Sequence, residues 1–219
     1  MGATGQGDGD SKVKLTEAHQ DALRTILTWR RDVRHFRADP LPEAALENLC
    51  EAMDSAPSVG NARPWRVLRV VDKSLRARVR ADFERCNAAA AEGYEDADKD
   101  AYLSLKLAGL DRAPEQLAIF TDTQTLEGRG LGRQTMPQTL EQSTSMAIYS
   151  LWLMARASNI GVGMLSIIDP DHIERLLEVP KSWRFTAYLC IGYPEFDDNA
   201  PLLHRAGWQR NKKTLWQTR

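Results

Sequence analysis

Apolar positions recur at helical spacing between Thr16 and Trp29, where Ala18, Ala22, Leu23, Ile26 and Leu27 predict an amphipathic helix. A second helix opens at Pro40-Leu-Pro-Glu, sets Leu46, Leu49, Cys50 and Met53 on one face, and stops near Ser55 before Ala56-Pro57. The run Ser58-Val-Gly-Asn-Ala-Arg-Pro-Trp65 is rich in small and turn-forming residues and reads as a loop feeding a strand from Trp65 to Val71. Ser74 to Ala91 is helical in pattern. Glu92 to Asp100 is acidic and poor in apolar residues, which predicts a mobile surface stretch, and an apolar pattern resumes from Tyr102 to Leu110. Gln116 to Thr121 reads as a buried strand, and Gly128-Arg-Gly-Leu-Gly-Arg133 as a flexible loop. The longest helix is predicted from Thr135 to about Asn159. It is apolar nearly all round through Met146, Ile148, Tyr149, Leu151, Trp152, Leu153 and Met154, so it belongs in a core or a subunit interface. Ile160 to Ile168 begins with glycines and passes into a strand, Pro170 to Leu177 is a short helix, and Phe185 to Gly192 is another strand. Four strands among helices imply an α/β or α+β sheet packed by helices, without internal repeats. The tail from Tyr193 looks extended.

Composition narrows the functional classes. The chain has 219 residues, 42% hydrophobic and 27% charged, which suits one globular domain with a core able to stand alone. A net charge of −1 argues against a nucleic-acid binder, because such proteins carry an excess of cations to displace counterions. Cys50, Cys86 and Cys190 are far apart and lack a Cys-x-x-Cys pair or a nearby His, so they predict neither a zinc site nor a disulfide framework, but core or half-buried thiols. His19, His35, His172 and His204 form no ligand set and are expected on surfaces, with no metal site. Met1 to Lys14 is rich in Gly and Asp with no apolar core, so it is expected to be disordered rather than a secretory signal or an anchor. No segment has the apolar length to cross a bilayer, and the cytoplasm is the default location.

Local charge is more informative than net charge. Arg30, Arg31, Arg34 and Arg37 fall within eight residues, with one carboxylate, Asp32, among them. Guanidinium groups hold phosphate through charge-assisted, often bidentate hydrogen bonds. A phosphate site gains nothing from an extra negative charge, so Asp32 either neutralises an arginine or acts chemically on what the arginines hold. The plainer alternative is a solvated helix end, where the macrodipole favours cations. The glycine loop at Gly128 matches neither the Walker nor the dinucleotide fingerprint. Trp65, Trp152 and Trp183 are expected to pack in or beside core elements.

The order of motifs carries a resemblance. Arg30-Arg-Asp-Val-Arg-His-Phe36, Ala56-Pro-Ser-Val-Gly-Asn-Ala-Arg-Pro-Trp65, Ser104-Leu-Lys-Leu107, Ala113-Pro-Glu-Gln116, Gly130-Leu-Gly-Arg-Gln-Thr-Met136, Gly161-Val-Gly-Met-Leu-Ser166, Gly192-Tyr-Pro194 and Gly207-Trp208 together resemble the FMN-dependent nitroreductase superfamily, and within it the flavin-destroying branch. The resemblance implies an α+β fold with a central, mostly antiparallel sheet packed by helices, in an intertwined homodimer. The domain would span residues 16–210, between a disordered tail at 1–15 and a C-terminal tail at 211–219. The implied activity is oxygen-dependent fragmentation of reduced FMN to 5,6-dimethylbenzimidazole and erythrose 4-phosphate, for the lower ligand of vitamin B12. Reduced FMN is then consumed as substrate with dioxygen as co-substrate, and a separate flavin reductase supplies it.

By the same resemblance Arg30, Arg31, Asp32, Val33 and Arg34 contact the flavin, Ser58 and Asn61 approach its edge, and Leu165 and Ser166 face its reactive nitrogen. Leu107 and the nearby Lys106 follow the acidic stretch, which covers the site as a lid. Arg205 or, as the preferred candidate, Arg210 closes on the phosphate. Reductases of the superfamily usually carry a small hydroxyl residue where this chain has Asp32, so Asp32 and Ser166 are the implied catalytic pair, Asp32 moving protons near the ribityl chain and Ser166 orienting the oxygenated flavin or that same chain. Arg63 stands where the family pattern has Gln before Pro-Trp, so an amide contact is not expected there. The competing readings are an NAD(P)H-dependent FMN nitroreductase or quinone reductase that recycles its flavin, and a non-enzymatic FMN-binding protein.

Overall fold

Leu117, Ala118, Ile119 and Phe120 are all buried, and so is nearly the whole of strand β2 (Glu115–Asp122), which explains why this stretch reads as a continuous apolar run instead of an alternation. The computed structural model of the chain describes residues 13–95, 99, 102 and 109–219. The predicted tail before residue 13, most of the acidic stretch beyond Glu95, and the Ser104–Leu107 motif with Lys106 and Leu107 lie outside the described residues. β2 pairs with β1 (Trp65–Arg69) and β4 (Trp183–Gly192), and β4 pairs with β3 (Gly161–Leu165), giving an antiparallel sheet of order β1-β2-β4-β3. The α+β, antiparallel architecture is the one the motif order implies.

Alternate residues of the central strands feed two cores. Leu117, Ile119, Leu189 and Ile191 meet Leu46, Leu49 and Met53 of α2 (Glu43–Asp54) and Ala147, Leu151 and Ala155 of α5 (Thr139–Ala157). Ala118, Phe120, Tyr188 and Cys190 meet Val79 of α3 (Lys73–Ala91), Leu110 of the short α4 (Gly109–Arg112), and Ile173 and Leu176 of α6 (Pro170–Leu176), with Phe36 wedged among them. Each large side chain sealed this way contributes about 1.5–3 kcal/mol. Polar groups of the central strands are paired: the Thr121 hydroxyl donates to Thr144 Oγ1 (2.8 Å), and Tyr188 donates to Gln116 Oε1 (2.8 Å), whose amide donates to the Leu110 carbonyl (2.9 Å). Glu115 takes two hydrogen bonds from Arg69, at 2.8 and 2.9 Å.

Some expectations change. Helix α5 begins at Thr139 rather than Thr135, after Pro137, and ends before Asn159, which takes a left-handed φ of 56°. The glycines at the head of the Ile160 run are the strand itself, not its lead-in. Cys50 is exposed rather than core or half-buried, because one step from Leu49 rotates a helical position by about 100° and turns it off the buried face. Cys86 is half-buried and Cys190 fully buried.

Helix α1 (Glu17–Trp29) keeps its predicted span, yet none of its residues is buried, and Leu23, Leu27 and Trp29 remain exposed together with Met146 and Tyr149 of α5. The chain beyond Tyr193, expected to be extended, is pinned to the body of the fold and carries a short helix. Glu195 pairs with Arg112 (2.6 Å) and Asp197 with Arg156 (2.5 Å), Asp198 contacts Arg205, and Leu202–Arg205 form the short helix α7. Among the described residues no helix is long and apolar enough to cross a membrane.

Candidate active site

After Trp29 the chain leaves α1 and becomes extended, and Asp32 and Val33 run parallel to β3 at its free edge. The Val33 N–H donates to the Val162 carbonyl at 3.0 Å. This approach is possible only because β3 carries Gly161 and Gly163. A Cβ at residue 163 would lie 2.1 Å from the Val33 carbonyl oxygen, and one at residue 161 would lie 2.9 Å from Val33 Cγ2. Phe36, fully buried, anchors the far end of the segment, and the Trp152 indole N–H donates to the Arg31 carbonyl at 3.2 Å.

The arginines of this segment divide. Arg37 turns away to pair with Asp39 (2.8 Å) and lies over the Tyr193 ring, so the cluster at the site is Arg30, Arg31 and Arg34. The Arg30 guanidinium sits over Trp152 (5.2 Å) and Tyr149 (5.8 Å). Arg31 donates to the carbonyls of Arg30 (2.6 Å), Asn199 (2.8 Å) and Thr28. Burial, and then the charge of Arg30, lower its pKa, while Asp198 opposes them. Arg30 Nε, Arg31 Nε and Arg34 Nη1 are buried and have no hydrogen-bond partner among the described residues. A buried donor left unmatched costs about 1–3 kcal/mol, so three of them on one short segment fit an anion with several oxygen acceptors.

Two cavities flank the segment. The first, about 330 Å³, is lined by Arg30, Arg31, Arg34, Arg156 and Arg205, with Trp152 as an apolar wall. The second, about 260 Å³, is lined by Gly163, Met164, Leu165, Ser166, Cys190 and three aromatic rings. Asp32, Val33 and Arg34 border both. The Asp32 carboxylate is held there on two sides: Oδ1 accepts from the Met164 N–H at 2.9 Å, and Oδ2 faces Arg34 Nε at 3.4 Å. With its side chain 39% exposed, it keeps free lone pairs toward the cavities. Burial pushes the Cys190 thiol up to about 12, so it is neutral at the cavity floor.

The structure brings Arg30, Arg31, Asp32, Val33, Arg34, Leu165 and Ser166 together. Ser58 and Asn61 lie elsewhere. The Ser58 hydroxyl accepts from the Arg63 N–H at 3.1 Å, and Asn61 (φ 55°) sits on a turn, Val59–Asn61, packed against the Glu127–Gly130 turn. That turn is tied to α5 by the Val59 N–H donating to Ser143 Oγ at 3.0 Å. Arg63 reaches back to the Asp54 carbonyl at 2.7 Å. Arg210 is exposed and lines neither cavity, whereas Arg205 lines the first. Leu107 lies outside the described residues. His35 is half-buried in the first cavity rather than on the surface, and His172 is half-buried too. Trp65 and Trp183 pack as expected, but Trp152 also positions the arginine segment. Arg156, Asp198, Tyr94 and Tyr102 have no local sequence signal for their places here, since each arrives from a distant element. Among the described residues no group of three His, Cys, Asp or Glu side chains could hold a metal ion.

A family model described as "Nitroreductase family" matches residues 27–193. The chain belongs to the nitroreductase family. This nitroreductase-family chain is 57% identical over 207 residues to 5,6-dimethylbenzimidazole synthase of Rhodobacter capsulatus, a match covering 94% of the chain and 100% of the relative. It is 49% identical over 193 residues to 5,6-dimethylbenzimidazole synthase of Rhodospirillum rubrum, covering 88% and 92%. Among solved structures, iodotyrosine deiodinase bound to FMN and 3-iodo-L-tyrosine superposes with a TM-score of 0.72 at 23% identity, over 90% of the chain and 99% of that structure. That likeness concerns the fold.

Proposed function

We propose that this chain fragments reduced FMN with dioxygen, releasing 5,6-dimethylbenzimidazole and erythrose 4-phosphate for the lower ligand of vitamin B12. The observation that carries the reading is the Asp32 carboxylate, fixed between two cavities by the Met164 N–H and Arg34 and flanked by buried guanidinium nitrogens without partners, in a chain 57% identical to a named synthase. FMN supplies the ring and ribityl carbons of both products and, when reduced, the electrons that dioxygen accepts.

The residues present suit that substrate. Arg30 and Arg31 hold the phosphate, which stays on the sugar fragment, and Arg34 donates to a ring carbonyl. The Val33, Leu165 and Ser166 backbones border the ring. Asp32 takes protons at the carboxylate lone pairs left free by Met164 and Arg34, and the Ser166 hydroxyl orients the ribityl arm. A reductase that only shuttles hydride needs no base there.

The working unit is a homodimer. The apolar side chains left exposed on α1 and α5, Leu23, Leu27, Met146 and Tyr149, cover one another across two copies, and the second copy brings the Ser58–Asn61 loop and Arg210 to the flavin. A separate flavin reductase supplies reduced FMN, and three free cysteines suit a cytoplasmic enzyme.

The test is direct. FMN is reduced without oxygen in the presence of the protein, exposed to air, and the products are separated and weighed by mass spectrometry. Benzimidazole in proportion to lost FMN supports the reading. Intact FMN with continuous NAD(P)H consumption makes the protein a conventional reductase, and intact reoxidised FMN alone makes it a flavin-binding protein.

A further inference from the structure

The second cavity has an aromatic wall that the proposed chemistry does not use. Tyr94, from the turn after α3, stacks on Tyr102 with ring centroids 4.8 Å apart and planes 22° from parallel, and Trp208 meets Tyr94 edge-on at 5.8 Å. All three line the cavity together with Asp32, Arg34 and Ser166. Offset stacking and edge contacts account for the rings, because these are the arrangements aromatic side chains prefer. They do not account for the Tyr102 hydroxyl. Among the described residues that buried oxygen has no hydrogen-bond partner. Burial, and then Tyr94 beside it, raise its pKa, so the group stays protonated and is a donor without an acceptor. A Phe at this position would pack as well and leave nothing unmatched.

We infer that Tyr102 is a substrate-binding residue, its hydroxyl donating a hydrogen bond to an acceptor of the flavin seated in the second cavity. The inference rests on FMN being the ligand. The flavin ring nitrogens, ring carbonyls and ribityl oxygens are all suitable acceptors, and a flat ring system suits a wall of stacked aromatics. On binding, a mismatch present in the free protein becomes a hydrogen bond. The hydroxyl therefore acts on affinity and on free-protein stability with opposite signs, which a residue serving only the fold does not do.

Tyr102→Phe keeps the ring and removes only the oxygen. FMN affinity, read by quenching of flavin fluorescence, is expected to weaken about tenfold, the equivalent of about 1.4 kcal/mol. The melting temperature of the FMN-free variant is expected to equal or exceed that of the FMN-free wild type. Unchanged FMN affinity overturns the inference. A lower melting temperature without FMN also overturns it, since the hydroxyl would then already have a partner in the protein. The binding arm uses oxidised FMN and needs no turnover: wild-type protein that binds FMN but yields no benzimidazole sinks the proposed reaction and leaves Tyr102 in place, whereas wild-type protein that fails to bind FMN sinks both.

Discussion

Replacing Gly163 by Ala puts a methyl group where the Asp32–Val33 backbone lies against β3. The added Cβ would come 2.1 Å from the Val33 carbonyl oxygen, a backbone atom that cannot rotate away, so the segment must move out by about 1 Å. That shift stretches the Val33–Val162 hydrogen bond from 3.0 Å and the bond from the Met164 N–H to Asp32 from 2.9 Å, both beyond useful length. The first is worth about 1 kcal/mol and the second, made to a charged group, about 1.5–3 kcal/mol. Partial relaxation leaves an expected loss of roughly 2–4 kcal/mol, or about 5–15 °C of melting temperature for a chain of this size. Calorimetry checks the stability, and fluorescence titration checks FMN binding, which should weaken as Arg30, Arg31 and Arg34 shift together. A Gly163→Ala protein with an unchanged melting temperature and unchanged FMN affinity would refute the claim that this close approach builds the site.

Other substitutions separate the fold from the site. Glu115→Ala leaves Arg69 with its exposed partner Glu43, and should cost about 2 kcal/mol by denaturant titration while FMN affinity holds. Trp152→Phe removes the hydrogen bond to the Arg31 carbonyl and the larger ring beneath Arg30, so FMN should bind several-fold more weakly while riboflavin, which lacks the phosphate, changes little. Asp198→Asn removes the charge that contacts Arg205 and opposes the lowered pKa of Arg31, making the first cavity more positive. FMN should then bind about threefold more tightly at low salt, and weaker binding would show that Asp198 supports the site instead of competing with the phosphate.

Much of the fold was legible because its signals are local. The apolar run at the centre of β2 and the Pro-punctuated ends of the helices each follow from neighbours in sequence. The Arg30–Arg34 run with its single carboxylate was equally visible. What sequence could not convey is which distant element meets which. Gly161 and Gly163 looked like the approach to a strand, and only the crossing of Val33 over them explains both. Trp152 looked like core because its ring is core, while its indole N–H reaches Arg31 from an element more than a hundred residues away. Helix α1 had the periodicity of a packed helix but has no buried residue in one chain. The placement of Ser58 and Asn61 away from the cavities follows a topology that local pattern does not encode.

The central claim is that the carboxylate at Asp32 makes FMN a consumed reactant. Asp32→Asn keeps the side-chain shape, an oxygen to accept from the Met164 N–H, and the arginines, and removes the base. Product analysis by mass after anaerobic reduction of FMN and exposure to air should find no 5,6-dimethylbenzimidazole from the variant, with flavin recovered intact and FMN affinity within a few-fold of wild type. A wild-type yield of benzimidazole from Asp32→Asn would contradict the account.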